Sequence, residues 1–179
     1  MIDWPMLEWE KQKMDLDCGL TVNCVSTTLP LQFEKAGVGV DPGRNFAIAA
    51  ITRFGRVNIY YGYLHIKKGW SYAQDGIMAY ELMKEGGRAK LTPCVIEGAA
   101  HSLNVGQANL AYIRMGFYLG AYHMGYDVKM KAINTIRKMA TGHGRKAMWE
   151  LLPTLNDNAA DALGCCLYAV GYKHKEGDE

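Results

Sequence analysis

The sequence predicts a mixed α/β fold, one sheet covered by helices, on three observations. The chain has 179 residues and 49% apolar content, enough for one domain with a full core. Short apolar segments separated by tight turns crowd its first half, as in an antiparallel meander. Apolar strands then alternate with helical patterns, which is how a parallel half of a sheet is built. No internal repeat or low-complexity tract interrupts this.

Taken in order, residues 1–36 are least regular. Trp4 to Met14 reads as a short amphipathic helix, and Leu20 to Leu31, rich in Thr and Val, as a strand. Pro30 and Gly37 mark a break before the main fold. The central stretch follows, Gly37 to Ile51, GVGVDPGRNFAIAAI. Its apolar residues fall on both faces of a strand, the pattern of a sheet covered on both sides. Val38–Asp41, Asn45–Arg53 and Val57–Ile66 give two or three antiparallel strands, the first and second continuous or separated at Pro42-Gly43. Tyr72 to Glu85 is a helix stopped by Gly86-Gly87. Leu91–Glu97 is an apolar strand ending in an acid. Gly106 to Gly125 is a long, unusually apolar helix, apolar on more than one face, which suits core packing or a dimer contact. Val128–Ile133 reads as a strand, Gly142-His143-Gly144 as a loop, Lys146–Leu152 as a short helix closed by Pro153, and Asn158 to Tyr172 as the last helix.

Composition narrows the functional classes. No apolar run is long enough to span a membrane. Trp4, Pro5, Glu8 and Glu10 near the start do not make a basic apolar leader. The five cysteines, Cys18, Cys24, Cys94, Cys165 and Cys166, show no CxxC spacing, so reduced thiols in a cytoplasmic protein are expected and zinc is not. Net charge is only +2, but residues 127–146 hold Lys129, Lys131, Arg137, Lys138, Arg145 and Lys146 against Asp127 alone. That is either a solvated charged face or a polyanion contact.

Three acids sit where an acid is costly. Asp41 ends the first core strand, Glu97 ends a second, and Asp161 lies in the first turns of the last helix, in NDNAADALGCCLYA. Each has an ordinary reading: a polar strand end, a surface strand end, a helix N-terminal charge. Taken together, carboxylates converging from two strands and a helix would repel unless a divalent cation joined them. Hard oxygen donors select Mg²⁺ or Mn²⁺, and such a cluster suits two-metal phosphodiester hydrolysis. The Gly142/Gly144 loop, between Arg137-Lys138 and Arg145-Lys146, is either a flexible exposed turn or a place where the backbone approaches phosphate among cations.

These pieces together resemble the RuvC-type Holliday-junction resolvases, in the variants carried by bacteriophages. GVGVDPGRNFAIAAI resembles their first strand, VIEG their second acidic position, GQANLAYIRMGFYLGAY the helix after it, IRKMATGHGRK their basic segment, and DNAADAL their last acidic motif. The resemblance runs from about residue 37 to 172. It implies an RNase H-like mixed five-stranded sheet flanked by helices, with residues 1–36 as an N-terminal extension, 37–173 as the nuclease domain and 174–179 as a short polar tail. It implies a homodimer that cleaves four-way DNA junctions with Mg²⁺ (Mn²⁺ as substitute), two ions per site, in a bacterial or phage-infected cytoplasm and away from membranes. Asp41, Glu97 and Asp161 are then metal ligands. Asn158 stands at the family's fourth ligand position, three residues before Asp161; Asp157 offers full charge beside it, either as ligand or as helix cap. The DNA contacts implied are Arg137, Lys138, His143, Arg145, Lys146 and His101, the last standing nearest to the position where the family often carries an aromatic. The usual Pro before the basic segment is missing around Ala132-Ile133-Asn134. The alternatives are a related nuclease on other branched or hybrid nucleic acid, and a catalytically weak protein that binds branched DNA.

Overall fold

The structure, a computed structural model, describes residues 4–64, 69, 71–98, 105–143, 148–150 and 152–173. Seven strands form one sheet: β1 (Glu10–Asp15), β2 (Thr21–Thr28), β3 (Gly37–Asp41), β4 (Asn45–Ile51), β5 (Arg56–Tyr63), β6 (Pro93–Gly98) and β7 (Asp127–Ala132). Their spatial order is β1-β2-β5-β4-β3-β6-β7. The five strands expected from residue 37 onward are therefore all present, and β1 and β2 extend that sheet beyond β5. β3, β4 and β5 pair antiparallel, whereas β3–β6 and β6–β7 pair parallel. Parallel neighbours need long crossovers, and helices α1 (Tyr72–Glu85) and α2 (Val105–His123) supply them.

Both sheet edges are charged. β1 reads EKQKMD and β7 DVKMKA, which discourages strand addition by another chain. The helix expected over Trp4 to Met14 is instead a 3-10 turn, Trp4–Met6, followed by β1. Ladder bonding from Glu10↔Ser26 to Asp15↔Thr21 overrides the local helical pattern. Val38–Asp41 and Asn45–Arg53 do not run together as one bent strand: the turn at Pro42-Gly43 separates β3 from β4. A helix not anticipated, α3 (Ile133–Thr141), follows β7 directly and ends at Gly142. Where Lys146–Leu152 reads as a helix, the described part is a 3-10 turn, Met148–Glu150. The last helix, α4, spans Asp157–Ala169.

Two apolar layers cover the sheet. On one face α1 and α2 close over Val38, Val40, Phe46, Cys94 and Ile96. They cross closely, because a Cβ at Gly116 would collide with the Gly76 carbonyl. On the other face α4 seals Ala47, Ala49, Ile51 and Ile59. It rests on backbone rather than side chains: a Cβ at Gly39 would overlap the Cys166 amide nitrogen and the Ala162 carbonyl oxygen. The Cys166 thiol also donates to the Gly37 carbonyl at 3.1 Å.

Overpacking a tight core contact costs typically about 1–3 kcal/mol. Gly39→Ala should therefore lower the melting temperature sharply, because neither β3 nor α4 can yield without moving the other. An unchanged melting curve would show that the helix is not seated on this strand.

Candidate active site

The acids are brought together by three different elements. Asp41 closes β3, Glu97 is the penultimate residue of β6, and β3 and β6 are adjacent and parallel. Asp161 lies in the second turn of α4, which crosses β3 and β6. The turn after Asp41 is pinned from below. Arg44 donates through Nε to Asp75 Oδ2 of α1 at 2.7 Å and lies 4.1 Å over the Tyr72 ring. Asp75 is fully buried, and removing a partner from a buried ion pair is strongly destabilising.

Electrostatics confirm the proximity. Burial, then the charges of Glu97 and Asp161, hold the Asp41 carboxyl well above the usual range. Burial and Asp161 push Glu97 up to about 7. Asp161 is raised by burial, against the lowering effect of Arg137. The Asp41 and Glu97 side chains lie close enough for each to shift the proton affinity of the other, and adjacent carboxyls resist ionising together. Cys165, fully buried one turn after Asp161, feels all three charges and floors the cluster. A thiol held protonated by burial is not a nucleophile.

Two cations face the acids. Arg137 on α3 donates through Nη2 to Asp161 Oδ2 at 2.9 Å. Expected as a DNA contact, it is thus already engaged with an acid. Arg114 on α2 is buried and lowers the pKa of both Asp41 and Glu97. Sequence reading passed over Arg114, although a lone Arg between Ile113 and Met115 in the most apolar helix signals a buried acid partner.

The other expected site residues fall as follows. Asp157 is exposed and Asn158 half-buried in the first turn of α4. The N-cap of α4 is Asn156, whose Oδ1 accepts from the Ala159 amide at 2.7 Å. Asp157 is therefore free of the capping role, and its charge contributes to raising Asp161. Lys138 and His143 are exposed, and the Thr141 hydroxyl donates to the His143 carbonyl at 2.9 Å. His101, Arg145 and Lys146 lie outside the described residues.

The donor set suits a hard divalent cation, since it offers only carboxylate oxygens at like-charged, desolvated positions. Asp161 Oδ1 is buried and has no hydrogen-bond partner among the described residues, which leaves one acceptor open. Among the described residues, however, no three His, Cys, Asp or Glu side chains stand ready-made around a metal position. Asp41 and Glu97 instead hold their protons more tightly and Asp161 pairs with Arg137, each satisfying by other means what a cation would satisfy.

No protein-family model matches the chain, and no curated protein matches its sequence. Solved structures do. Thermus thermophilus RuvC superposes with a TM-score of 0.53 at 15% identity, covering 74% of this chain and 91% of that one. RuvC from the same organism in complex with a Holliday junction substrate gives a TM-score of 0.58 at 14% identity, covering 75% and 92%. This chain has a RuvC-like fold. The RuvC-like likeness leaves about a quarter of the chain unmatched. No helix among the described residues is long and apolar enough to cross a membrane.

The raised Glu97 predicts a pH dependence. Between its ordinary value of 4.5 and about 7, the folded chain holds a proton that the unfolded chain has released. The contribution of Glu97 to stability without metal should therefore be fully present below about 4.5, fall as pH rises through that window, and level off above about 7. Melting temperatures across pH in EDTA should fall less steeply for Glu97→Gln. Identical slopes would remove Glu97 from the cluster.

Proposed function

We propose that this chain is a structure-specific endonuclease that hydrolyses phosphodiester bonds in branched DNA, four-way junctions in particular. The observation that supports this most is the meeting of Asp41, Glu97 and Asp161 from β3, β6 and α4 in one desolvated, mutually repelling cluster, on a RuvC-like fold. Mg²⁺, or Mn²⁺ in its place, would be held by these three carboxylates with Asp157 or Asn158 completing the set, and would supply an activated water and charge for the leaving oxygen. Two ions per site suit four donors of this kind.

The chain's own groups do the rest. Arg114 stabilises the ionised state of Asp41 and Glu97 from within the core, so the cluster can shed a proton. Arg137 stands at the same acids and is placed to offset charge on a nearby phosphate. Lys138 and His143, with Arg145 and Lys146 of the same basic segment, form the positioning surface for the DNA backbone, which carries affinity rather than sequence preference.

Asp41→Asn should abolish cleavage of a synthetic four-way junction in Mg²⁺ while leaving binding equal or tighter, since a negative charge near DNA is removed. Full cleavage by this variant would sink the assignment. Binding by the wild type without cleavage, on junction, flap and linear DNA alike, would instead favour a branched-DNA-binding protein without nuclease activity.

The protein works as a two-fold homodimer in this reading, because a junction presents two equivalent strands. Supporting it, Tyr112, Met115, Leu119 and Tyr122 of α2 are 57%, 50%, 48% and 68% exposed and recur on one helical face. Leu119→Arg should convert dimer to monomer by light scattering at micromolar concentration. A wild-type monomer with junction bound would refute the dimer. Such a nuclease acts where DNA is, in the cytoplasm of a bacterial or phage-infected cell.

A further inference from the structure

Only Pro42 and Gly43 separate Asp41 from Arg44, and Arg44 is held on two sides. Its carbonyl accepts from the Leu64 amide at 2.8 Å, which ties the start of β4 to the chain just past β5. Its guanidinium lies over the Tyr72 ring and donates through Nε to Asp75 Oδ2. The Arg44 side chain is 28% exposed and that of Asp75 not at all. Asp75 stands in the first turn of α1, directly after the Ser71–Gln74 capping box that fixes where the helix starts. The turn that carries Asp41 is thus fastened to a rigid helix end. A buried ion pair adds little net stability over an apolar pair of the same volume. What this one adds is direction, since a planar guanidinium held by both a ring and a carboxylate has one allowed orientation.

The next residue of α1 fixes a second part of the site. A Cβ at Gly76 would collide with the Tyr112 carbonyl, and one at Gly116 with the Gly76 carbonyl. Arg114 lies between Tyr112 and Gly116 on α2. Asp75 therefore holds the turn after Asp41 by its side chain, while Gly76 holds the α2 backbone around Arg114 by its main chain. Two consecutive residues of α1 relate one carboxylate of the cluster to the buried cation that faces it, although neither belongs to the cluster.

We infer that Asp75 and Arg44 are positioning residues: their ion pair fixes the Pro42-Gly43 turn so that Asp41 converges with Glu97 and Asp161 on a divalent cation, and its loss weakens cation binding there. This deepens the metal-dependent reading above and rests on it.

The test reads Mn²⁺ binding to the full-length protein by titration calorimetry, without DNA and without turnover. Asp75→Asn should weaken Mn²⁺ binding about tenfold, the lower end of the cost of losing a group that orients a metal ligand. Arg44→Lys, which keeps the charge and loses the planar fork, should fall between this variant and wild type. Arg44→Lys/Asp75→Asn should be no weaker than Asp75→Asn alone, because both changes break one contact. Junction binding by Asp75→Asn in EDTA should equal that of wild type, since a side chain with no exposed surface cannot meet DNA. A purely structural ion pair would lower the melting temperature of Asp75→Asn and leave its Mn²⁺ affinity unchanged. That result, or losses that multiply in the double variant, overturns the inference and leaves the nuclease reading standing. Should Asp75→Asn fail to fold, Tyr72→Leu removes only the ring over the guanidinium. It should weaken Mn²⁺ binding severalfold, and unchanged affinity overturns the inference. Wild-type protein that binds no Mn²⁺, or binds it equally well after Asp41→Asn, overturns both readings.

Discussion

Everything at the candidate site depends on how closely α4 approaches β3. Gly39 has no side chain, so the helix backbone at Ala162 and Cys166 lies directly on the strand. That contact sets the height of Asp161 above the sheet, two residues along from where Asp41 leaves it. A bulkier residue at position 39 would lift the helix and open the cluster. The alanines Ala159, Ala160 and Ala162 of α4 lie buried in the layer on this face, and a helix can sit this low only where its own face is shallow; Gly164 instead makes room for Met148 and Ile136.

The cluster that results is unfavourable when considered alone. Three carboxyls with raised proton affinity sit over a buried thiol, and the molecule offsets them by Arg114 from the core and by Arg137 from α3. Strain of this sort is not needed for folding; an apolar substitute at each position would pack as well. It stands beside an open acceptor, Asp161 Oδ1, and a desolvated carboxyl cluster of this kind is the feature on which the proposed metal-dependent nuclease reading rests.

Charge is then partitioned by region. Arg137 of α3 meets Asp161 from one side, while a cleft on the other side is lined, among the described residues, by asparagine and tyrosine side chains and by Asp157. The N-terminal strands are integral to that second side, because β2 could not present Asn23 without its antiparallel pairing to β5.

How much of this was legible from the chain follows from the range of the interactions. The order of strands from Gly37 onward, the acids at 41, 97 and 161, and the core faces were legible because each rests on local period and on residue types too costly to bury without cause. The resemblance to RuvC-type proteins drew on the same local features, and the RuvC-like fold agrees with it. The N-terminal strand β1 was misread, because its residues, charged or polar except Met14, become a strand only through pairing with β2. Helix α3 was missed because it starts without a side-chain cap, directly at the end of a strand. Arg114 was hidden by its neighbours, and the capping role of Asn156 was taken from Asp157 only by geometry. The sequence by itself thus determined which groups are acidic, apolar or small. Only tertiary structure decided which of them meet, since a pairing between Arg137 and Asp161, or a cleft shared by β2 and α4, depends on distances that no periodicity encodes.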